Sequence, residues 1–390
     1  MPDEFPDPPT EPASVSPDEL ARMIAAAKPI RLLDVRNRDE FETWHVSGSS
    51  VTATQIPFSK ALQAQVTDSV PDLAEHVDGE GPITVVCGRG ESSAYVAGLF
   101  EDHGIEAHNL ADGMRGWARV YEAYEIETER ATVLQYQRPS SGCLGYAIIS
   151  DGTAAVVDPL RTVTGRYSDD AAARDATVEY VIDTHIHADH VSGLRTVADA
   201  TGGAPLISGR ARERDVAFEV GTVADDGTRS VGETTLRTVP LPGHTTGMTG
   251  VAVDDVLLTG DSLFIESVAR PDLEAGDDGA PELANELYTT LTERLAAFDD
   301  ETVIAPGHVG ERTPRNDDGS YTATLGALRE NLWAFDVDRE AFVERILSDM
   351  PPRPANFEAI MAANLGETDP SEETAFEWEL GPNNCAATAD

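Results

Sequence analysis

Apolar positions in this chain come in short runs separated by polar or glycine-rich stretches, a pattern that predicts alternating strands and helices. Residues 30–35 and 83–86 read as buried strands, and the second leads through a glycine-rich turn into a helix-like run over 94–101. Ahead of them, Ser16-Pro17-Asp18-Glu19 combines an N-cap serine, proline at the first helical position and an acid three residues on, which predicts a helix to about Ala27. These elements describe an α/β domain over 15–121, behind a disordered lead at 1–14. After a linker at 122–130 the pattern changes to short strands at 145–149, 154–157, 178–182, 251–259 and 302–305, which predict a second domain over 131–313. Helices predicted at 322–334 and 338–348, with the proline-broken 350–354, form a helical extension over 314–366, and 367–390 reads as a loose tail. No repeat or heptad pattern appears, and no apolar run approaches the ~20 residues of a bilayer span.

Composition changes this picture mainly through charge. The 390 residues suit two or three units of roughly 150 residues each, and 41% hydrophobic content is that of a globular chain. The formal net charge is −42, from 28 basic and 70 acidic residues, with lysine only at Lys28 and Lys60. Such a chain repels phosphates, which excludes nucleic acid as a partner. The acids are spread along the sequence rather than gathered in a tail, so the self-repulsion falls on the folded state itself. Molar salt, by shortening the Debye length to about 3 Å, removes most of that penalty, and the composition therefore reads as that of a halophile cytosol. The N-terminus has no basic region followed by an apolar stretch, so no secretory signal is expected. Three widely spaced cysteines, Cys87, Cys143 and Cys385, point to a reduced cytoplasmic interior.

The chemistry concentrates in Thr184-His185-Ile186-His187-Ala188-Asp189-His190, directly after the strand at 178–182. In extended backbone, residues two apart share a face, so His185 and His187 can reach one ion, while Asp189 and His190 can address a second position. Further ligand types stand at later strand ends: His244 after Pro242-Gly243, Asp261 after Gly260, and His308 after Pro306-Gly307. An isolated histidine is more often a surface or satisfied core residue. Four ligand-type residues within six positions, plus three flanked by glycine, reverse that reading.

This set resembles the metallo-β-lactamase superfamily signature over residues 131 to about 310. The resemblance implies an αββα sandwich with a metal cleft at the edge between its sheets. It also implies one metal position lined by His185, His187, His244 and Asp261, and another by Asp189, His190, Asp261 and His308. Residues 259–265 followed by Ala269-Arg270-Pro271-Asp272-Leu273 resemble the persulfide dioxygenase branch, in which an Arg-x-Asp follows the bridging-type aspartate. That branch implies one Fe(II) ion held by His185, His244 and Asp261, with His187 close by, and substrate contacts from Arg270 and Asp272. A surface ion pair holding a loop is the plainer reading of the last two. Glyoxalase II hydrolases share the first part of the motif, and that branch implies two Zn(II) ions and a hydroxide nucleophile. His308 is followed by Val309-Gly310 where glutathione-using members often carry a tyrosine, and glutathione-binding basic residues are not recognisable, which leaves the thiol carrier open.

In the first domain Cys87 ends the strand at 83–86, inside Cys87-Gly88-Arg89-Gly90-Glu91-Ser92-Ser93 and just before a helix. Backbone N–H groups and the positive end of a helix favour a thiolate there and can hold a persulfide. With Leu33-Asp34-Val35-Arg36, Glu40-Phe41, His45, Gly48, Asp112-Gly113 and Trp117, the region 16–121 resembles the rhodanese family. That resemblance implies Cys87 as the sulfur carrier and Arg89 as a contact for the anionic donor. Trp44 and Asp112 depart from glycines common in that family. Cys143, entering a strand, reads as a packed core thiol rather than a sulfur relay, and Cys385 as incidental.

Three functions follow as expectations. The first is a metal-dependent dioxygenase that oxidises a low-molecular-weight persulfide with O₂ to sulfite, coupled to a rhodanese sulfurtransferase module. The second is a dinuclear zinc thioester hydrolase of hydroxyacylglutathione hydrolase type. The third is a sulfur-trafficking module whose metal is structural. The partner classes left are a low-molecular-weight thiol or persulfide and further copies of the chain, with no membrane and no nucleic acid.

Overall fold

Five short parallel strands organise the N-terminal unit of the computed structural model, which describes residues 5–310, 313–348 and 350–387. They are β1 (Ala13–Val15), β2 (Ile30–Asp34), β3 (Val51–Gln55), β4 (Ile83–Val86) and β5 (Ala107–Leu110), in the spatial order β1-β5-β4-β2-β3. Ile83, Val85 and Cys87 share one core cluster with Leu33, Val96 and Phe100, so the alternation of β4 carries the sulfur-bearing residue onto the packed face. The helix Pro17–Ala25 starts where its sequence predicts, with the Ser16 hydroxyl accepting from the Glu19 N–H at 3.1 Å.

The expected lead at 1–14 is corrected in part: residues 13–15 pair with β5, and Thr10 lies over the helix Glu91–Asp102 at Gly98. A free parallel edge recruits these residues, a tertiary effect that leaves no local signal in three residues. Residues 1–4 of that lead lie outside the described residues.

The second unit comprises residues 122–137 and 142–387, with 138–141 belonging to the first. The linker expected at 122–130 is instead mostly a strand, β6 (Glu122–Glu127), antiparallel to β7 (Thr132–Arg138). Its polar, acidic sequence is that of an edge strand and disguised it. A seven-stranded sheet runs β12-β11-β10-β9-β8-β7-β6, adding β8 (Cys143–Ser150), β9 (Thr153–Val157), β10 (Thr177–Ile182), β11 (Ala204–Ser208) and β12 (Gly221–Val223). A six-stranded sheet runs in chain order through β13 (Thr228–Val231), β14 (Thr234–Pro240), β15 (Thr249–Val253), β16 (Val256–Gly260), β17 (Val303–Pro306) and β18 (Ala323–Thr324).

Period-two burial explains the layering. Leu144, Tyr146 and Ile148 of the first sheet meet Val251, Val253, Val256 and Leu258 of the second in one cluster. Leu257 and Ile304 point the other way, onto the helices Gly276–Thr289, Leu325–Asn331 and Arg339–Ser348. Helix, two sheets and helix follow, with the C-terminal helices packed on the outside, so the expected α/β domain is followed by the expected αββα sandwich.

The helix expected at 322–334 is shorter and preceded by β18, since residues 323–324 pair with β17. The loose tail expected at 367–390 holds the helix Glu372–Trp378 and a buried Cys385; residues 388–390 lie outside the described residues. Among the described residues no helix is long and apolar enough to cross a membrane.

Candidate metal centre and sulfur loop

Strand ends and the loop after β10 bring the seven sequence-predicted ligand residues into one buried region. His185 and His187 follow β10, His244 follows β14, Asp261 follows β16 and His308 follows β17. A Cβ at Gly307 would stand 2.4 Å from Asp261 Oδ1, so the glycine before His308 is required by the approach of that carboxylate. His185, His244 and Asp261 are each fully buried, and the Nε2 atoms of both histidines lie 3.8 Å from Asp261 Oδ2. Ligand atoms about 2.1 Å from a shared cation sit roughly 3 to 3.6 Å apart, so the two histidine–aspartate edges need to tighten by only a few tenths of an ångström.

Hydrogen bonds set which nitrogen is free. His244 Nδ1 donates to the Arg270 carbonyl at 2.8 Å. His185 Nδ1 donates at 3.0 Å to the Thr184 hydroxyl, which itself donates to Asp158 Oδ2 at 2.9 Å. Both Nε2 lone pairs are thereby aimed at Asp261. Among the described residues, His185 Nε2, His244 Nε2 and Asp261 Oδ2 have no hydrogen-bond partner, and neither do His187 Nδ1 and His190 Nε2. Buried polar atoms are costly when unsatisfied, and donor atoms of this kind, so oriented, fit a cation. Burial, reinforced by His187, holds the His185 pKa well below its ordinary value and keeps the ring neutral, as a ligand must be.

The remaining ligand-type residues are arranged differently. His187 Nε2 donates to Asp158 Oδ1 at 3.2 Å and its ring packs on His185, with centroids 4.2 Å apart. His308 is bonded on both sides, Nδ1 to Asp261 Oδ1 and Nε2 to Asp189 Oδ2, each at 2.7 Å. Although burial opposes charge, Asp261 and Asp189 raise the His308 pKa well above the ordinary value. His190 Nδ1 contacts Asp189, and the Cys143 thiol donates to Asp189 Oδ2 at 3.2 Å. The thiol read as core packing is buried, but it touches the site.

Arg270 and Asp272 do not form a surface ion pair. Both are buried, joined by two hydrogen bonds of 2.7 and 3.0 Å, and Arg270 Nη1 donates further to the carbonyls of Pro352 and Asn384. The pair positions the chain around His244.

Three other residues complete the site and escaped sequence reading. Asp158, at φ 48° after β9, also accepts from the Thr184 N–H at 2.7 Å and so organises the ligand loop. Asn364, from the C-terminal helix Phe357–Asn364, donates to the carbonyls of His187 and His190, both at 2.9 Å. Cys385 lies with its sulfur within 4.8 Å of ligand atoms of Asp261 and His308. An aspartate closing a strand before proline was a usable signal for the first; the others act over long sequence separations.

In the first unit Cys87 is buried at the end of β4, and its Sγ accepts from the Gly90 N–H at 3.1 Å and the Ser93 hydroxyl at 3.2 Å. Gly90, at φ 101°, turns the backbone into the helix Glu91–Asp102. At Gly113 a Cβ would lie 2.2 Å from the Cys87 carbonyl oxygen, so this half of the Asp112-Gly113 pair tolerates no side chain, whereas Asp112 fits at φ 56°. Trp44 is accommodated as well: its carbonyl accepts from Arg36 Nη2 at 2.6 Å, and Arg36 pairs with buried Asp34. Arg89 is exposed on the sulfur loop.

Comparison with known proteins agrees with both halves. Residues 16–120 match the rhodanese-like domain and residues 141–308 the metallo-beta-lactamase superfamily. A hydroxyacylglutathione hydrolase of Methylococcus capsulatus is 32% identical over 205 residues, 51% of this chain and 75% of that one. The human mitochondrial persulfide dioxygenase ETHE1 is 27% identical over 159 residues, 40% of this chain and 58% of that one. The crystal structure of ETHE1 from Myxococcus xanthus superposes with a TM-score of 0.52 at 25% identity, covering 59% of this chain and 96% of that one. The chain belongs to the metallo-β-lactamase superfamily and carries a rhodanese-like domain ahead of that fold.

Proposed function

We propose that the second domain is a persulfide dioxygenase with one Fe(II) ion, and that the rhodanese-like domain handles sulfane sulfur through Cys87. The overall reaction is persulfide plus O₂ plus water to thiol, sulfite and two protons. The observation that carries this reading is the triangle of unsatisfied atoms, His185 Nε2, His244 Nε2 and Asp261 Oδ2, a two-histidine, one-carboxylate set. His308 lies between Asp261 and Asp189, with its two nitrogens 2.7 Å from a carboxylate oxygen of each. Fe(II) in such a set supplies open positions and redox access to O₂. The chain's own residues do the rest. Thr184, Asp158 and the Arg270 carbonyl fix the ligand rings, and the His308 ring bridges Asp189 and Asp261. The Gly90 N–H and Ser93 hydroxyl stabilise sulfur on Cys87. Likeness to the human persulfide dioxygenase ETHE1 and to the ETHE1 structure from Myxococcus xanthus supports the same choice. Iron-loaded chain is expected to take up O₂ with a low-molecular-weight persulfide and release an equal amount of sulfite. Iron-bound protein that consumes none sinks the proposal.

The 32% identity to a hydroxyacylglutathione hydrolase, together with the unsatisfied His190 Nε2 beside Asp189, favours thioester hydrolysis with two Zn(II) as the second reading. Acyl-thiol turnover by protein holding two zinc ions per chain selects it.

A further inference from the structure

The C-terminal residues place a thiol beside two of the ligand-type residues, Asp261 and His308. Ala386 forms an antiparallel bridge with Ala269, the Ala387 N–H donates to the Val268 carbonyl at 2.8 Å, and the Ser267 hydroxyl donates to the Ala387 carbonyl at 2.6 Å. Arg270 grips the intervening turn twice, through its backbone N–H to the Cys385 carbonyl at 3.2 Å and through Nη1 to the Asn384 carbonyl at 3.0 Å. Cys385 is thereby fully buried against Ala188 and Leu273, on the ligand loop and beside Arg270-Pro271-Asp272. Its sulfur is within 4.8 Å of ligand atoms of Asp261 and His308. A cysteine alone would say little. Here the same Asp261 carboxylate carries the unsatisfied, fully buried Oδ2 towards which two unsatisfied imidazole nitrogens are turned. The thiol stands at an assembled site whose ligand atoms await a partner.

We infer that Cys385 is the resident sulfur acceptor of the metal domain, so that the persulfide oxidised there is carried on the protein's own C-terminal segment. This rests on the dioxygenase reading and names its substrate class: a protein-bound persulfide in place of one on a free carrier. It also accounts for the lack of recognisable glutathione-binding basic residues. In the loading step Cys385 sulfur attacks the outer sulfur of a donor persulfide. A new S–S bond forms at Cys385, the donor S–S bond breaks, and the donor leaves as a thiol with the proton that Cys385 gives up. No oxidant is consumed. In the second step the Cys385 persulfide, O₂ and water give sulfite, two protons and the regenerated thiol, with four electrons passing to O₂.

The full-length chain is incubated without O₂ with glutathione persulfide, alkylated and digested, and the peptide containing Cys385 is weighed. The peptide containing Cys87 serves as the internal control. The expected result is one added sulfur on Cys385, lost when O₂ is admitted to iron-loaded protein. Cys385→Ser is expected to lose O₂ uptake while keeping its bound iron. An unmodified Cys385 peptide beside a sulfur-loaded Cys87 peptide overturns the inference, and so does full O₂ uptake by Cys385→Ser. Either result leaves the dioxygenase reading standing. A Cys385 that takes up sulfur in iron-loaded protein and never releases it on O₂ supports the acceptor role and sinks the dioxygenase.

Discussion

Asp158 and Thr184 show how residues outside the proposed iron ligand set position it. Together they fix the His185 ring, and the Asp158 carboxylate also holds the His187 ring and the Thr184 backbone. Loss of such outer partners typically weakens metal binding about 10- to 100-fold. Thr184→Val and Asp158→Asn are therefore expected to lower iron affinity by that factor in competition against a chelator. Unchanged affinity in both contradicts the role assigned to them. In the other domain, Cys87→Ser is expected to abolish sulfur transfer to an added thiol or cyanide acceptor while O₂ uptake on supplied persulfide survives, a difference that thiocyanate release and an oxygen electrode read separately. The ligand residues were legible in the sequence because they come in local clusters beside glycines at strand ends. Asp158 was not, being one of 70 acidic residues, and neither was Cys385, whose only clue is where the folded chain puts it.

At the scale of elements, the C-terminal helices belong to the site. Asn364 donates to two ligand-loop carbonyls and accepts from the Ser192 N–H at 2.9 Å, and the Glu379 carboxylate accepts from the Val191 N–H at 3.2 Å. Asn364→Ala strands these buried groups, at a cost of about 1–3 kcal/mol for each group left unsatisfied. Denaturant midpoint and metal affinity should fall together. The turn between β15 and β16 has a comparable anchor. There, Asp254 accepts from the hydroxyls of Thr128 and Thr234 and from the backbone N–H and guanidinium of Arg130. Burial opposes the charge, but these donors win and depress its pKa. The stability it adds is accordingly present above the ordinary carboxylate value of about 3.9 and is lost as pH falls through its lowered folded value. Asp254→Asn is expected to lower stability near neutral pH and to flatten the acid limb of the unfolding curve; an identical acid limb contradicts it. Strands with strong apolar alternation were readable ahead of the structure. β1 and β6 were not, because each owes its existence to an edge that needed a partner rather than to its own sequence.

The whole molecule carries a net charge of −42. Screening is therefore expected to matter more to its stability than any single contact, with the melting temperature climbing steeply between dilute buffer and molar KCl. A flat response contradicts the salt-adapted reading. The molecule also joins a rhodanese-like domain to a metallo-β-lactamase domain in one chain, and on the proposed function the chemistry of that pairing turns on which ion the His/Asp cluster selects. The most direct test is the identity and number of metal ions in full-length protein purified in high salt without O₂. One iron per chain, lost in His244→Ala and Asp261→Ala, is the expected result. Two zinc ions per chain, with Asp189→Ala and His308→Ala each releasing one, contradicts it.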